Sequence, residues 1–158
     1  MDINQVCRRP VRDLLPHREP MILIDEACGM EGEEFKARVA IRPGIPFFND
    51  GAVPAWVGIE YMAQTVAAYA GAEGLAQGGE IHVGMLLGTR DYKAVRPDFK
   101  AGQVLDILVR KDLFQVNGVS SLHCRILEAQ ALVAQAQVTV IDVPDIRAIQ
   151  ALSQRKDP

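Results

Sequence analysis

One stretch of the sequence decides the fold: Pro54-Ala-Trp-Val-Gly-Ile-Glu-Tyr-Met-Ala-Gln-Thr-Val-Ala-Ala-Tyr-Ala-Gly-Ala72. Proline is favoured at the first position of a helix, because its missing N–H has no intrahelical partner there. The apolar residues of this stretch fall on most sides of the helix, and a helix that is apolar on most sides is buried. The sequence therefore predicts one long buried helix that ends near Gly71 or Gly74.

Strand patterns lie on both sides of this helix. Met21–Ile24 is a short apolar run, and apolar and polar residues alternate over Phe35–Arg42 after a loop at Gly29–Glu34. Beyond the helix, short connections, one of them the Asn117-Gly118 turn, join four further runs in antiparallel fashion. These runs are Val83–Ala94, Val104–Leu113, Val119–Glu128 and Leu132–Asp142. The order predicts an α+β protein in which one curved antiparallel sheet wraps one helix, and the edge strand favours dimerisation.

The composition is that of a cytoplasmic globular protein. Of the 158 residues, 49% are hydrophobic, and the net charge of −3 gives no support to nucleic-acid binding. Cys7, Cys28 and Cys124 are too few and too scattered for a disulfide framework or a zinc site, which favours a reducing compartment. The longest apolar stretch, residues 51–72, contains polar side chains, so no membrane span is expected.

The domain organisation is simple. The sequence contains no internal repeat, low-complexity tract or linker, so we expect a single domain over residues 1–158. Its core should span about residues 13–143, with polar tails at Met1–Arg12 and Ser153–Pro158.

Glu60 is the strongest candidate for a functional side chain, because it is the one charged residue between Asp50 and Glu73. A carboxylate on a mostly buried helix is costly unless it has a partner or lines a cavity, so we assign it a site role. The alternative is a carboxylate capped by the backbone or by a partner subunit across an interface. Gln64 lies one turn later on the same helix face.

Other motifs are absent or ambiguous. The chain has no nucleophile elbow, phosphate-binding loop or dinucleotide-binding motif, and we expect no cofactor and no metal. Two basic stretches, at residues 8–18 and 93–100, are either solvated surface or receive an anionic partner.

Several segments resemble one enzyme family. The segments Leu15-Pro-His-Arg-Glu-Pro-Met-Ile-Leu-Ile-Asp25, Pro46–Phe48 and Ile59-Glu-Tyr-Met-Ala-Gln64 are similar to motifs of the 3-hydroxyacyl-acyl-carrier-protein dehydratases, and Gly88–Gly102 resembles the segment that follows them. The helix segment Pro54–Gln64 more closely resembles a divergent branch of dehydratase-like proteins associated with aryl-polyene pathways. The resemblance implies a hotdog fold, with dimers that place active sites at the subunit interface.

The same resemblance implies an activity, the dehydration of a 3-hydroxyacyl thioester of acyl carrier protein or coenzyme A in fatty-acid or aryl-polyene synthesis. This reaction removes the proton next to the carbonyl and protonates the leaving hydroxyl, and Glu60 would be the principal acid and base. The family's catalytic His segment is missing, because only Asn49–Val53 separate the Phe pair from Pro54. We therefore expect His17 or Asp50 to be the partner of Glu60.

Substrate-binding roles follow from the resemblance as well. The helix start at Ala55 would polarise the thioester carbonyl through backbone N–H groups. The expected substrate-binding residues are Gln64, Ala55, Trp56, Asn49 and Gly88. The acyl tunnel would be apolar and lined by Trp56, Ile59, Met62 and Met85.

Two alternatives remain open at this stage. In a hotdog acyl thioesterase, Asp50, Asn49 or Glu60 would activate water for hydrolysis. In a non-catalytic acyl-binding subunit, the chain would form a heterodimer with a catalytically complete hotdog partner. Otherwise we expect a homodimer or a higher oligomer.

Overall fold

The computed structural model describes residues 1–81, 83–116 and 118–143. Its helices are α1 (Ile3–Val6) and α2 (Gly58–Ala76), with single 3-10 turns at Val11–Asp13 and Ala55–Val57. Its strands are β1 (Glu26–Glu31), β2 (Glu34–Ala40), β3 (Ala52–Pro54), β4 (Val83–Ala94), β5 (Asp98–Lys100), β6 (Val104–Val116), β7 (Val119–Glu128) and β8 (Ala131–Val143). No helix in this described part is long and apolar enough to cross a membrane.

Six strands form one antiparallel sheet in the order β1-β2-β6-β7-β8-β4, and β3 pairs separately with β5. The sheet packs around α2, whose Tyr69 ring stacks on Phe35 of β2 at a centroid distance of 4.9 Å. One helix wrapped by one curved sheet is the α+β hotdog architecture expected from the sequence. The pairing of Val116 with Val119 confirms the β6–β7 hairpin, although Asn117 lies outside the described residues.

The predicted end of the long helix is wrong. Neither Gly71 nor Gly74 stops α2, which continues to Ala76. Gly71 serves close packing instead, because a Cβ atom there would lie 2.0 Å from the backbone oxygen of Leu14. The helix therefore contacts the N-terminal segment at its own backbone, which only glycine allows.

The predicted first strand is also wrong. Met21–Ile24 forms no strand, and β1 instead begins at Glu26 and occupies part of the predicted loop. The physical reason is a side chain: Gln64 of α2 accepts a hydrogen bond from the Leu23 N–H at 2.8 Å and donates one to the Met21 oxygen at 2.6 Å. The Leu23 N–H and the Met21 oxygen thereby have partners without a neighbouring strand.

The N-terminal residues are not a polar tail. Ile3–Val6 form a short helix whose Val6 is completely buried, and Cys7 is buried beside it. The Asn4 side chain accepts a hydrogen bond from the Met30 N–H at 2.8 Å, which ties this helix to β1. The core therefore begins well before residue 13, while the predicted tail at Ser153–Pro158 lies outside the described residues.

We predict that Gly71→Ala destabilises the protein despite the better helix propensity of alanine. The propensity gain is about 1 kcal/mol, but the new methyl group would collide with a backbone oxygen whose residue is itself completely buried. Overpacking of this kind costs up to about 3 kcal/mol, so we expect a net loss of about 2 kcal/mol in the free energy of urea unfolding. Gly88→Ala is the control, because a Cβ atom there meets nothing within 4 Å. Equal stability of the two variants would contradict the close contact.

Candidate active site

A cavity of about 150 Å³ lies between α2 and the β4 side of the sheet. The helix contributes Glu60 and a row of small or medium apolar side chains, and the sheet contributes the opposite wall. The apolar residues of the helix wall are Ala63, Val66, Ala67 and Ala70, and the residues of the sheet wall are Gly84, Leu86 and Val140. The result is a mostly apolar chamber that is large enough for a short acyl group.

His17 completes the lining of this cavity. Among the described residues that line it, His17 and Glu60 are the only two with a titratable side chain. The Nδ1 atom of His17 is buried and has no hydrogen-bond partner within the described part of the chain. The structure therefore brings the predicted acid/base residue and one of its two predicted partners to the same apolar chamber.

Gln64 fixes the surroundings of Glu60. The side chain of Gln64 is completely buried, and its amide nitrogen lies 3.4 Å from Oε1 of Glu60, one turn earlier on α2. The same amide binds the backbone of Met21 and Leu23, so its donors and acceptor are already used inside the protein. Gln64 is therefore not among the residues that line the cavity, and its predicted contact with substrate stays a prediction.

Asp50 and Asn49 lie outside the cavity that holds Glu60 and His17. Both line a separate depression, next to Asp98 of β5 and Pro97. Within the described chain, Asp50 is therefore not brought to the cavity that holds Glu60. A catalytic role of Asp50 and a substrate-binding role of Asn49 stay predictions.

The start of α2 is engaged by the protein itself. The Ala55 N–H donates to the Pro97 oxygen at 2.9 Å, and the Ala55 oxygen accepts a hydrogen bond from the Tyr92 hydroxyl. Burial raises the pKa of Tyr92 to about 12, so the hydroxyl stays protonated as a donor at neutral pH. The Ala55 N–H therefore already has a partner, and the predicted role of the helix start near Ala55 in polarising a thioester carbonyl stays a prediction.

Trp56 and Gly88 are surface residues. The Trp56 side chain is 59% exposed and packs edge-to-face on Phe47 at a centroid distance of 5.5 Å, outside the cavity. Gly88 is exposed on β4, beside an irregularity in its pairing with β8. Their substrate-binding roles stay predictions that the cavity itself does not support.

The predicted tunnel lining differs from the observed cavity. Met62 is completely buried in the core, neither Trp56 nor Ile59 lines the cavity, and the side chain of Met85 lies outside the described residues. Gly84, Leu86 and Val140 were not predicted as lining residues, because their place depends on the antiparallel register of β4 and β8. The described residues hold no group of three His, Cys, Asp or Glu side chains arranged for a metal ion.

Comparison with known proteins identifies the family. Residues 9–151 match the ApeP-like family, which is described as ApeP dehydratase. The chain belongs to the ApeP-like dehydratase family. This confirms the resemblance to the divergent aryl-polyene-associated branch, and the chain is a dehydratase-like lyase of that family.

Individual relatives agree with this family. The chain is 30% identical over 141 residues to the 3-hydroxyacyl-[acyl-carrier-protein] dehydratase FabZ of Agrobacterium fabrum, a match that covers 85% of this chain and 88% of FabZ. A chain from the dehydratase heterocomplex ApeI:P of Xenorhabdus doucetiae superimposes with a TM-score of 0.83 at 28% identity, covering 91% of this chain and 97% of that chain.

More distant structures share the fold alone. A hypothetical thioesterase with coenzyme A from Streptococcus pneumoniae superimposes with a TM-score of 0.59 at 14% identity, covering 76% of this chain and 89% of that chain. Similarity at this level of identity confirms the hotdog fold and carries no argument about the reaction.

We predict that Gln64→Leu destabilises the protein through its lost hydrogen bonds. The variant leaves the Met21 oxygen and the Leu23 N–H without a partner, and each unsatisfied buried group costs about 1–3 kcal/mol. We expect a loss of about 2–5 kcal/mol in the free energy of urea unfolding. The control is Gln103→Leu, whose side chain accepts a hydrogen bond from the Lys100 N–H near the surface, where water replaces it. Equal losses of unfolding free energy in both variants would show that the hydrogen bonds of Gln64 stabilise the protein no more than that of a glutamine near the surface.

Proposed function

We propose that the ApeP-like chain dehydrates a 3-hydroxyacyl thioester inside the cavity between α2 and β4, with Glu60 and His17 as its proton-transfer groups. The observation that carries this proposal is their position in one apolar chamber, where they are the two titratable side chains among the described lining residues. One proton-transfer group must reach the proton on C2 and the other the hydroxyl on C3, and a shared cavity allows both contacts with one substrate.

The proton balance assigns a role to each group. The imidazole of His17 removes the proton from C2, and the electron pair of that bond forms the C2=C3 double bond. The carboxylic acid of Glu60 protonates the hydroxyl on C3, which leaves as water. Transfer of the proton from His17 to Glu60 restores both groups, so no external reductant or oxidant is needed.

The apolar wall of the cavity is suited to binding the acyl chain of the substrate. Ala63, Ala67 and Ala70 lie at intervals of three and four along α2, so their small side chains form one face toward the cavity. An acyl group placed there buries apolar surface, which stabilises the complex by about 25 cal/mol per Å².

The thioester is carried by acyl carrier protein in this proposal. Support comes from FabZ of Agrobacterium fabrum, whose name specifies a carrier-bound 3-hydroxyacyl substrate. The family match favours fatty-acid or aryl-polyene synthesis as the setting. Coenzyme A is the alternative carrier, and turnover of the same acyl group on the two carriers distinguishes them.

Substitution of the two cavity residues tests the reaction. We expect Glu60→Gln and His17→Gln each to lower the rate of water loss from a 3-hydroxyacyl thioester by about 10²–10⁴-fold, because each removes one proton-transfer group. The matched control is Glu73→Gln on the same helix, where Glu73 pairs with Lys111 outside the cavity and the rate should stay within about twofold. Mass spectrometry follows the loss of water from the acyl group.

Four outcomes would contradict this assignment. Full turnover by Glu60→Gln removes Glu60 from the mechanism, and full turnover by His17→Gln removes His17. Release of free thiol and free acid by the unsubstituted protein identifies a thioesterase. An unsubstituted chain that is inactive alone and active with a second hotdog subunit identifies one half of a heteromeric enzyme.

We further propose that the protein is a cytoplasmic dimer assembled at β4. This strand lies at one edge of the six-stranded sheet and carries the exposed Leu87, and an unpaired edge is suited to pairing with another chain. The partner in this proposal is a second copy of this chain, and a second hotdog subunit is the alternative, which the structural match to the ApeI:P heterocomplex supports. Its cysteines are free, as in a reducing compartment.

A charge on β4 tests this interface. We expect Leu87→Lys to weaken the dimer, because Leu87 is 53% exposed on the edge strand and a lysine there disfavours edge pairing. Leu132→Lys is the control, because Leu132 is similarly exposed (42%) and lies on β8, which is flanked by β7 and β4. Light scattering after size-exclusion chromatography gives the mass of each variant. Equal masses for both variants would exclude β4 as the interface.

A further inference from the structure

The loop that carries His17 is closed by one guanidinium group. Nη1 of Arg18 lies within hydrogen-bond distance of three backbone oxygens, those of Arg12 at 3.3 Å, Leu15 at 3.0 Å and His17 at 2.7 Å. The three acceptors span the whole turn that leads into the cavity. A single donor group therefore holds the two ends of this loop together.

The inner side of the same loop is fixed by packing. Leu14 and Leu15 are completely buried, and the Leu14 oxygen lies against the backbone of α2 at Gly71. These contacts fix the distance between the loop and the helix. They involve residues that precede His17 in the chain, so they do not act at His17 itself. The bond from Arg18 to the His17 oxygen acts at the residue that enters the cavity.

The imidazole of His17 depends on this backbone for its position. Its Nδ1 atom is buried without a hydrogen-bond partner in the described residues, so no such bond to this atom orients the ring. Catalytic geometry is sensitive to small displacements, and a shift of about 1 Å can cost about 10²-fold in rate. A group that fixes the His17 backbone therefore also fixes the reaction geometry.

We propose that Arg18 is a positioning residue that holds the His17 imidazole in the cavity by binding the backbone oxygens of its loop. This inference rests on the proposed role of His17 in dehydration. Arg18 contacts substrate in no step, and it acts through the loop. The competing explanation is that the basic residues at 8–18 receive an anionic partner, in which case Arg18 would share its role with its neighbours.

Chemical accessibility of His17 gives a test that is independent of activity. Diethyl pyrocarbonate modifies neutral imidazole, and mass spectrometry measures the rate at each histidine. We expect Arg18→Gln to raise the modification rate of His17 severalfold, because the ring leaves its buried position, while His123 on β7 keeps its rate. Arg12→Gln is the charge-matched control and should leave both rates unchanged, because its side chain makes no hydrogen bond within the described residues.

Kinetics with 3-hydroxybutyryl coenzyme A provide the second measurement. We expect Arg18→Gln to lower kcat about tenfold with little change in KM, because it displaces a proton-transfer group without removing a substrate contact. The double variant His17→Gln/Arg18→Gln should be no slower than His17→Gln alone, because Arg18 acts through His17. Arg18→Lys, which keeps the charge but not the guanidinium geometry, should show an intermediate His17 reactivity and decides the question if Arg18→Gln does not fold.

Two outcomes overturn the proposal, and a third separates it from the proposed role of His17 in dehydration. Unchanged His17 reactivity in a folded Arg18→Gln or Arg18→Lys protein excludes positioning by this group. A raised KM with unchanged kcat in both Arg18→Gln and Arg12→Gln assigns the basic residues to an anionic partner. Higher His17 reactivity in Arg18→Gln together with full activity of His17→Gln would keep Arg18 as the residue that positions His17, but it would exclude His17 from the reaction.

Discussion

The buried amide of Gln64 is the interaction on which the rest of the site depends. It joins α2 to the segment before β1 through the Met21 oxygen and the Leu23 N–H, and it reaches the carboxylate of Glu60 one turn away. A buried amide of this kind is stabilising only when each of its polar atoms has a partner. The same contacts that complete the fold therefore also place Glu60 at the cavity.

The N-terminal segment is the second part of this arrangement. It approaches α2 closely enough at Gly71 to exclude any side chain there, and it then turns so that His17 lines the same cavity as Glu60. In the proposed mechanism, His17 takes the role of the histidine that the segment before the helix lacks. The proposed chemistry needs two proton-transfer groups, and the fold supplies both from one chain.

Local patterns predicted the elements well, and contacts distant in sequence account for the failures. The bounds of β4 and β7 are those expected, because alternation and turn signals are local. Met21–Ile24 was assigned wrongly, since its hydrogen-bond partner Gln64 lies about forty residues away in the chain. The three-residue strands β3 and β5 are too short to show a period. The sequence alone named Glu60 and His17, but the sheet wall of the cavity required the register of β4 and β8.

The most direct test of this account is a crystal structure of the Glu60→Gln variant with a 3-hydroxyacyl pantetheine thioester. The account predicts that C2 and C3 of the acyl group lie in the α2–β4 cavity, with the His17 imidazole against C2 and the side chain at position 60 against the hydroxyl. An acyl group bound instead in the depression beside Asn49, Asp50 and Asp98 would contradict it and would move the reaction to that surface.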